Sequence, residues 1–127
     1  MKRVQILTDK CCSCVGHPYP QGIKMGNMIF TTQVGIDVNG DLVPGGIKEQ
    51  TKAIMDNAKY VLEAAGATME NVAMVTIYVP DLSVKPEMNE VYETYFPDGN
   101  YPCRCCTQCA ALDEGCLIEI QFTAIVD

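Results

Sequence analysis

Residues Ile47 to Pro80, IKEQTKAIMDNAKYVLEAAGATMENVAMVTIYVP, change their period once, and that change decides the fold class. In the first part Ile47, Thr51, Ile54, Ala58, Val61, Leu62 and Ala65 recur every three or four residues, which gathers a largely apolar stripe on one side of a helix. Gly66 suits the position just past that helix, where the chain commonly turns left-handed. The second part, Val72-Ala73-Met74-Val75-Thr76-Ile77-Tyr78-Val79, is rich in β-branched residues and stops at Pro80, as a strand in the middle of a sheet would.

Working outward, Lys24 to Phe30 carries Gly26-Asn27 between short apolar runs, and Ile36 to Val43 carries Asn39-Gly40. Both pairs predict tight hairpins, because these residues tolerate positive φ. Downstream, a second helix is predicted from Val84 to Phe96, with Ser83 as its cap and Pro86 in its first turn. Met88, Val91, Tyr92 and Tyr95 form its apolar face. Strands follow at Arg104 to Cys109 and Cys116 to Val126, parted by a turn at Leu112-Asp113-Glu114-Gly115. The order β-β-α-β-α-β-β predicts an α+β layer, one sheet with both helices packed on one face. The other sheet face is left uncovered, which predicts an oligomer.

The length of 127 residues fits one domain, residues 1-127, and no repeat or low-complexity linker divides it. A net charge of -7 argues against nucleic acid as a partner, because such binding needs a basic face to displace counterions. Apolar stretches such as Ala73 to Val79 are too short to cross a membrane. The N-terminus, Met1-Lys2-Arg3-Val4-Gln5-Ile6-Leu7-Thr8-Asp9, lacks the apolar core of a secretion signal, so a cytoplasmic location is expected. The cysteines fall in two groups, Cys11, Cys12 and Cys14, then Cys103, Cys105, Cys106, Cys109 and Cys116. In that compartment they read as reduced thiols, most of them small buried hydrophobes, and no metal site is expected.

Few side chains are left to carry chemistry. There is one histidine, His17, and no GxSxG, P-loop or GxGxxG pattern. Arg104 has no acidic residue near it in sequence, so its planar fork needs an anion: either a ligand carboxylate or an acid distant along the chain. Strand alternation puts Cys106 and Gln108 on the side of Arg104, which makes Cys106 the thiol expected to face a ligand. In the final strand Glu119 shares a face with Gln121 while Ile118 and Ile120 point to the core. A carboxylate there either orients a water or lies on a solvated face.

Pro18-Tyr19-Pro20-Gln21-Gly22, Gly26-Asn27-Met28-Ile29-Phe30, Gly46-Ile47 with Gln50-Thr51, and Leu62-Glu63-Ala64-Ala65-Gly66 stand in order along the chain. Met88-Asn89-Glu90-Val91-Tyr92 with Tyr95-Phe96, Pro102-Cys103-Arg104 and Ile118-Glu119-Ile120 continue the series. In order and spacing the chain resembles the Rid (YjgF) family of reactive-intermediate imine/enamine deaminases. The resemblance implies a chorismate-mutase-like α+β fold with a mixed sheet. It also implies a homotrimer whose sheets form a barrel, with clefts between subunits. The implied reaction is cofactor-free hydrolysis of 2-aminoacrylate-type imino acids to 2-keto acids and ammonia. By the same resemblance Arg104 holds the substrate carboxylate, Glu119 positions the attacking water, and Tyr19, Thr32, Asn89 and Cys106 line the cleft. Thr31-Thr32-Gln33, His17 before Pro18, and Cys103 and Cys105 flanking Arg104 depart from the family's usual residues, which bears on substrate preference. Two further readings stand beside this one. The cleft could bind a keto acid or another small metabolite without turnover, or the cysteines around Arg104, whose charge lowers a neighbouring thiol's pKa, could make a redox- or metal-responsive protein.

Overall fold

Six strands and two helices follow one another as β1 (Val4–Ile6), β2 (Gly22–Met25), β3 (Met28–Val34), α1 (Ile47–Ala64), β4 (Val72–Val79), α2 (Lys85–Tyr92), β5 (Cys103–Gln108) and β6 (Glu119–Ile125). The structure is a computed structural model and describes residues 1–127. The strands make one sheet in the order β1-β2-β3-β6-β4-β5. Only β4 and β5 run parallel, so the sheet is mixed, and the expected α+β class holds.

Alternation fixes what each face carries. Ile29, Thr31 and Gln33 of β3, Val75, Ile77 and Val79 of β4, and Ile120, Phe122 and Ala124 of β6 are buried. They meet Ile54, Met55, Ala58, Val61 and Leu62 of α1 and Met88 and Tyr92 of α2 in one core, as a two-layer packing requires. Met28, Phe30, Met74 and Ile125 point to the opposite, open face. The packing is tight where α1 crosses β2: a Cβ added at Gly22 would stand 2.6 Å from Val61 Cγ1.

The helix period from Ile47 and the strand from Val72 agree with the sequence, and Gly66 follows the helix at φ +82°. Gly26 and Asn27 turn β2 into β3, with only Gly26 at positive φ (+58°), as in a hairpin that wants glycine first. Other boundaries moved. The second expected hairpin is a loop with a single bridge, Ile36 to Leu42, because the Asp37 carboxylate takes the backbone N–H groups of Asn39 (2.9 Å) and Asp41 (3.1 Å) in place of a ladder. The three-residue β1 was not foreseen; its pattern is too short to show a period. The second helix ends at Tyr92 and tightens to a 3-10 turn over Glu93–Tyr95. Ser83 does not cap it. Val84 stands at the cap, and Asp81 instead accepts the Ser83 N–H (2.9 Å) at the preceding 3-10 turn. β5 begins at Cys103, one residue earlier than expected, and β6 at Glu119, three later than expected.

The cysteines also differ from expectation. Only Cys11 is buried; Cys103 and Cys105 are exposed and the remaining five are intermediate. Cys11–Cys14 and Cys106–Cys109 have C-x-x-C spacing, yet no three His, Cys, Asp or Glu side chains gather in a metal-holding group. No helix is long and apolar enough to cross a membrane.

Candidate functional site

Arg104 lies on the edge strand β5, in register with buried Val75, so its side chain rises on the helix side of the sheet. There its Nη1 donates to Asn89 Oδ1 of α2 at 2.7 Å, and its guanidinium carbon stands 5.0 Å from the centroid of the Tyr92 ring. Asn89 and Tyr92 are three residues apart and therefore share a helix face. The chain's ion pairs are Lys48–Glu90 and Lys52–Asp56, so Arg104 has no distant acid as partner. An amide and a ring face hold it without neutralising it. A charge kept this way is ready for an external anion. The cavity in front of it, about 270 Å³, is lined by Asn89, Tyr92, Glu93, Tyr101, Pro102 and Arg104.

Tyr92 is almost fully buried, and its hydroxyl has no hydrogen-bond partner. Burial, opposed by Arg104 and assisted by Tyr101, pushes its pKa up to about 12, so it stays neutral. Phe96 and Tyr101 pack around it at 5.1 Å and 6.5 Å between ring centroids.

Cys106 lies on the Arg104 face as strand alternation predicts, but it packs against the core and does not line the Arg104 cavity. The expectation that this thiol faces a ligand therefore fails within the chain, because the Arg104 face of the sheet is its helix-covered face. Gln108 accepts the Leu82 N–H at 3.0 Å and ties β5 to the segment before α2.

Glu119 opens β6 in register with Val34 on one side and Tyr78 on the other, between buried Ile118 and Ile120. Its side chain therefore points to the open face, away from the helices. Burial first, and the nearby Asp113 carboxylate second, raise its pKa above the ordinary glutamate range. A cavity of about 460 Å³ beside it is lined by Tyr19, Thr32, Phe30, Ile23, Asp113 and Glu119 among others. Thr32 is exposed on that face, and Tyr19 is 57% exposed in the loop before β2. His17 stacks on Tyr19 at 5.3 Å between centroids.

The loop that presents Tyr19 is held by one buried side chain. Gln21 Oε1 accepts the Thr8 N–H at 2.8 Å, and its Nε2 donates to the carbonyls of Thr8 (2.9 Å), Cys12 (2.9 Å) and Cys11 (3.3 Å). Thr31 Oγ1 then donates to the Gln21 backbone carbonyl at 2.7 Å, which joins the loop to β3.

The predicted site residues thus form two groups. Arg104 and Asn89 stand together on the helix side, and Tyr19, Thr32 and Glu119 share a cavity on the open side. The fold of one chain does not bring the two groups together. Tyr92 and Tyr101 were missed as site residues because an apolar helix face reads as core; the spacing of Tyr92 from Asn89 was the available signal.

Residues 14–126 match the family model described as Endoribonuclease L-PSP. A RutC family protein of Pyrococcus abyssi is 42% identical over 126 residues, 98% of each chain. The mouse 2-iminobutanoate/2-iminopropanoate deaminase is 38% identical over 125 residues, 97% of this chain and 91% of that one. The crystal structure of Escherichia coli TdcF with bound serine superimposes with a TM-score of 0.89 at 30% identity, covering 98% of this chain and 99% of that one.

Proposed function

The chain belongs to the Endoribonuclease L-PSP family, the Rid (YjgF) proteins, and from that premise we propose that it hydrolyses 2-imino acids of the 2-aminoacrylate type to 2-keto acids and ammonia. The observation that carries this reading is Arg104, a guanidinium held by neutral groups at the mouth of a cavity. Its fork grips the substrate carboxylate in two parallel hydrogen bonds. The enamine tautomerises to an imine, whose protonated form is already electrophilic at C2. Water adds there, the nitrogen takes a proton, and the C–N bond breaks to release ammonia and leave the keto acid. Glu119 orients the water and accepts its proton, a task suited to a carboxyl whose pKa lies above its usual range. Tyr19 and Thr32 bound the space beside it. Water addition and C–N cleavage ask of the protein only positioning and proton transfer, so we assign no cofactor.

Because Arg104 and Glu119 project from opposite sheet faces, the reading includes assembly. We infer that one Rid-like domain per chain forms a cytoplasmic homotrimer, with each cleft taking Arg104 from one subunit and Tyr19, Thr32 and Glu119 from its neighbour. The apolar side chains on the open face support burial against other copies. A name in the mouse relative and a bound amino acid in the Escherichia coli structure agree with a small carboxylate ligand. A ribonuclease reading fits less well, since a net charge of -7 opposes a polyanion.

The test is ammonia release from imines generated in situ by an amino-acid oxidase. Wild type accelerates it, and Arg104→Ala and Glu119→Ala each lose on the order of a hundredfold or more, the usual effect of removing a positioned charge or donor. No acceleration by folded protein across small and large side chains, with keto-acid binding intact, would favour a binding protein without turnover.

A further inference from the structure

An arginine meant to catch a carboxylate needs rigidity without neutralisation, and the surroundings of Arg104 supply both. Asn89 fixes Nη1 from one direction at 2.7 Å, and Tyr92 lies beneath the guanidinium at 5.0 Å, inside the range over which a ring face attracts a cation. The Tyr92 ring cannot shift: it is 2% exposed and packed by Phe96 and Tyr101. Its hydroxyl meets no partner, which is unusual for a buried polar group and means that a hydrogen bond is not why an aromatic ring stands there. A carboxylate at this position would have paired with Arg104 and competed with the ligand.

We propose that Tyr92 is a positioning residue for ligand binding, whose ring face rather than its hydroxyl holds the Arg104 guanidinium ready for a carboxylate. The proposal rests on the reading of Arg104 as the carboxylate anchor. It adds that affinity is set partly by preorganisation of that anchor, since a freely moving arginine would have to be ordered on binding.

The experiment measures binding of 2-oxobutanoate by calorimetry, together with KM and kcat for in-situ imine hydrolysis. Tyr92→Leu is expected to weaken 2-oxobutanoate binding roughly tenfold and to raise KM more than it lowers kcat, the size a desolvated cation–π contact supports. Tyr92→Phe is expected to rescue most of that loss. Phenylalanine with successive ring fluorines at position 92 keeps the shape while draining the ring face of negative potential, and affinity should fall with each fluorine. That series decides the matter should Tyr92→Leu fail to fold. Unchanged binding in folded Tyr92→Leu, a Tyr92→Phe loss as large as that of leucine, or indifference to fluorination would overturn the proposal. A separate readout needs no ligand: the Arg104 Nε–H resonance is expected to be shifted by the Tyr92 ring in wild type and to move to the position of a free arginine in Tyr92→Leu. If wild type neither binds nor hydrolyses, the functional reading falls. The resonance then judges Tyr92 alone, and an unmoved signal sinks its positioning role.

Discussion

Replacing Gln21 by leucine keeps most of the side chain's bulk and removes the amide oxygen and nitrogen through which this side chain holds the loop between β1 and β2. Three of the four hydrogen bonds lost are short, at 2.8, 2.9 and 2.9 Å, and the fourth, at 3.3 Å, shares its Nε2 donor with the two 2.9 Å bonds. At roughly 0.5 to 1.5 kcal/mol net per bond, with water able to reach the freed Thr8 and Cys12 groups, the loss comes to about 2.5 kcal/mol. An unfolding entropy of about 2.1 cal/mol/K per residue over 127 residues converts this to a fall in Tm of about 9 °C. The assay is thermal unfolding at fixed protein concentration, with hydrogen exchange at the Thr8 amide as the local probe. Gln21→Glu sharpens it, because Nε2 faces three carbonyl oxygens and a carboxylate there would repel them. The new carboxyl's folded pKa would lie above its unfolded value, so its stability deficit is absent below the unfolded pKa and grows as pH rises through the folded one. Gln21→Glu should therefore be worse than Gln21→Leu at pH 7 and recover towards pH 4. A Gln21→Leu melting point within about 1 °C of wild type, with Thr8 still protected, would refute the clamp.

Asn89→Ala removes the side-chain hydrogen bond that holds the Arg104 guanidinium and should weaken 2-oxobutanoate binding about tenfold or more, as calorimetry would show. Glu119 has its pKa raised by burial and by Asp113, so activity should fall on the acid side with an inflection above the ordinary glutamate range. Asp113→Asn should move that inflection down in the pH–rate profile. Because the folded pKa is raised, ionised Glu119 costs stability as pH rises through that value, and Glu119→Gln should melt higher than wild type at pH 8. Cys11 is buried, with its pKa pushed up to about 11 by burial first and by Cys14 and Cys12 next. Alkylation mapped by mass spectrometry should reach it only on unfolding.

The fold was legible where side-chain periods were long. α1 and β4 carry several turns of a single pattern, and the α+β layer followed from them. It was illegible where local polar groups compete with the backbone: Asp37 dissolved the second hairpin, and Asp81 displaced Ser83 as a cap. Arg104 and Glu119 stood out because charge is rare on their strands. Which sheet face each occupies depends on register against β4, and pairing between distant strands leaves no mark in local sequence. That also explains Cys106, placed correctly beside Arg104 by alternation yet turned to the core, because the helix layer covers that side of β5.

The division of Arg104 and Glu119 between two faces of one sheet has a genetic consequence. Two chains that are each inactive, one Arg104→Ala and the other Glu119→Ala, carry their defects in different halves of every cleft of the proposed assembly. Co-assembled at equal amounts, random assortment restores both halves in roughly a quarter of the interfaces. A mixture of two dead proteins would then recover activity after dissociation and reassembly, and a cell carrying both alleles would look less impaired than a cell carrying either.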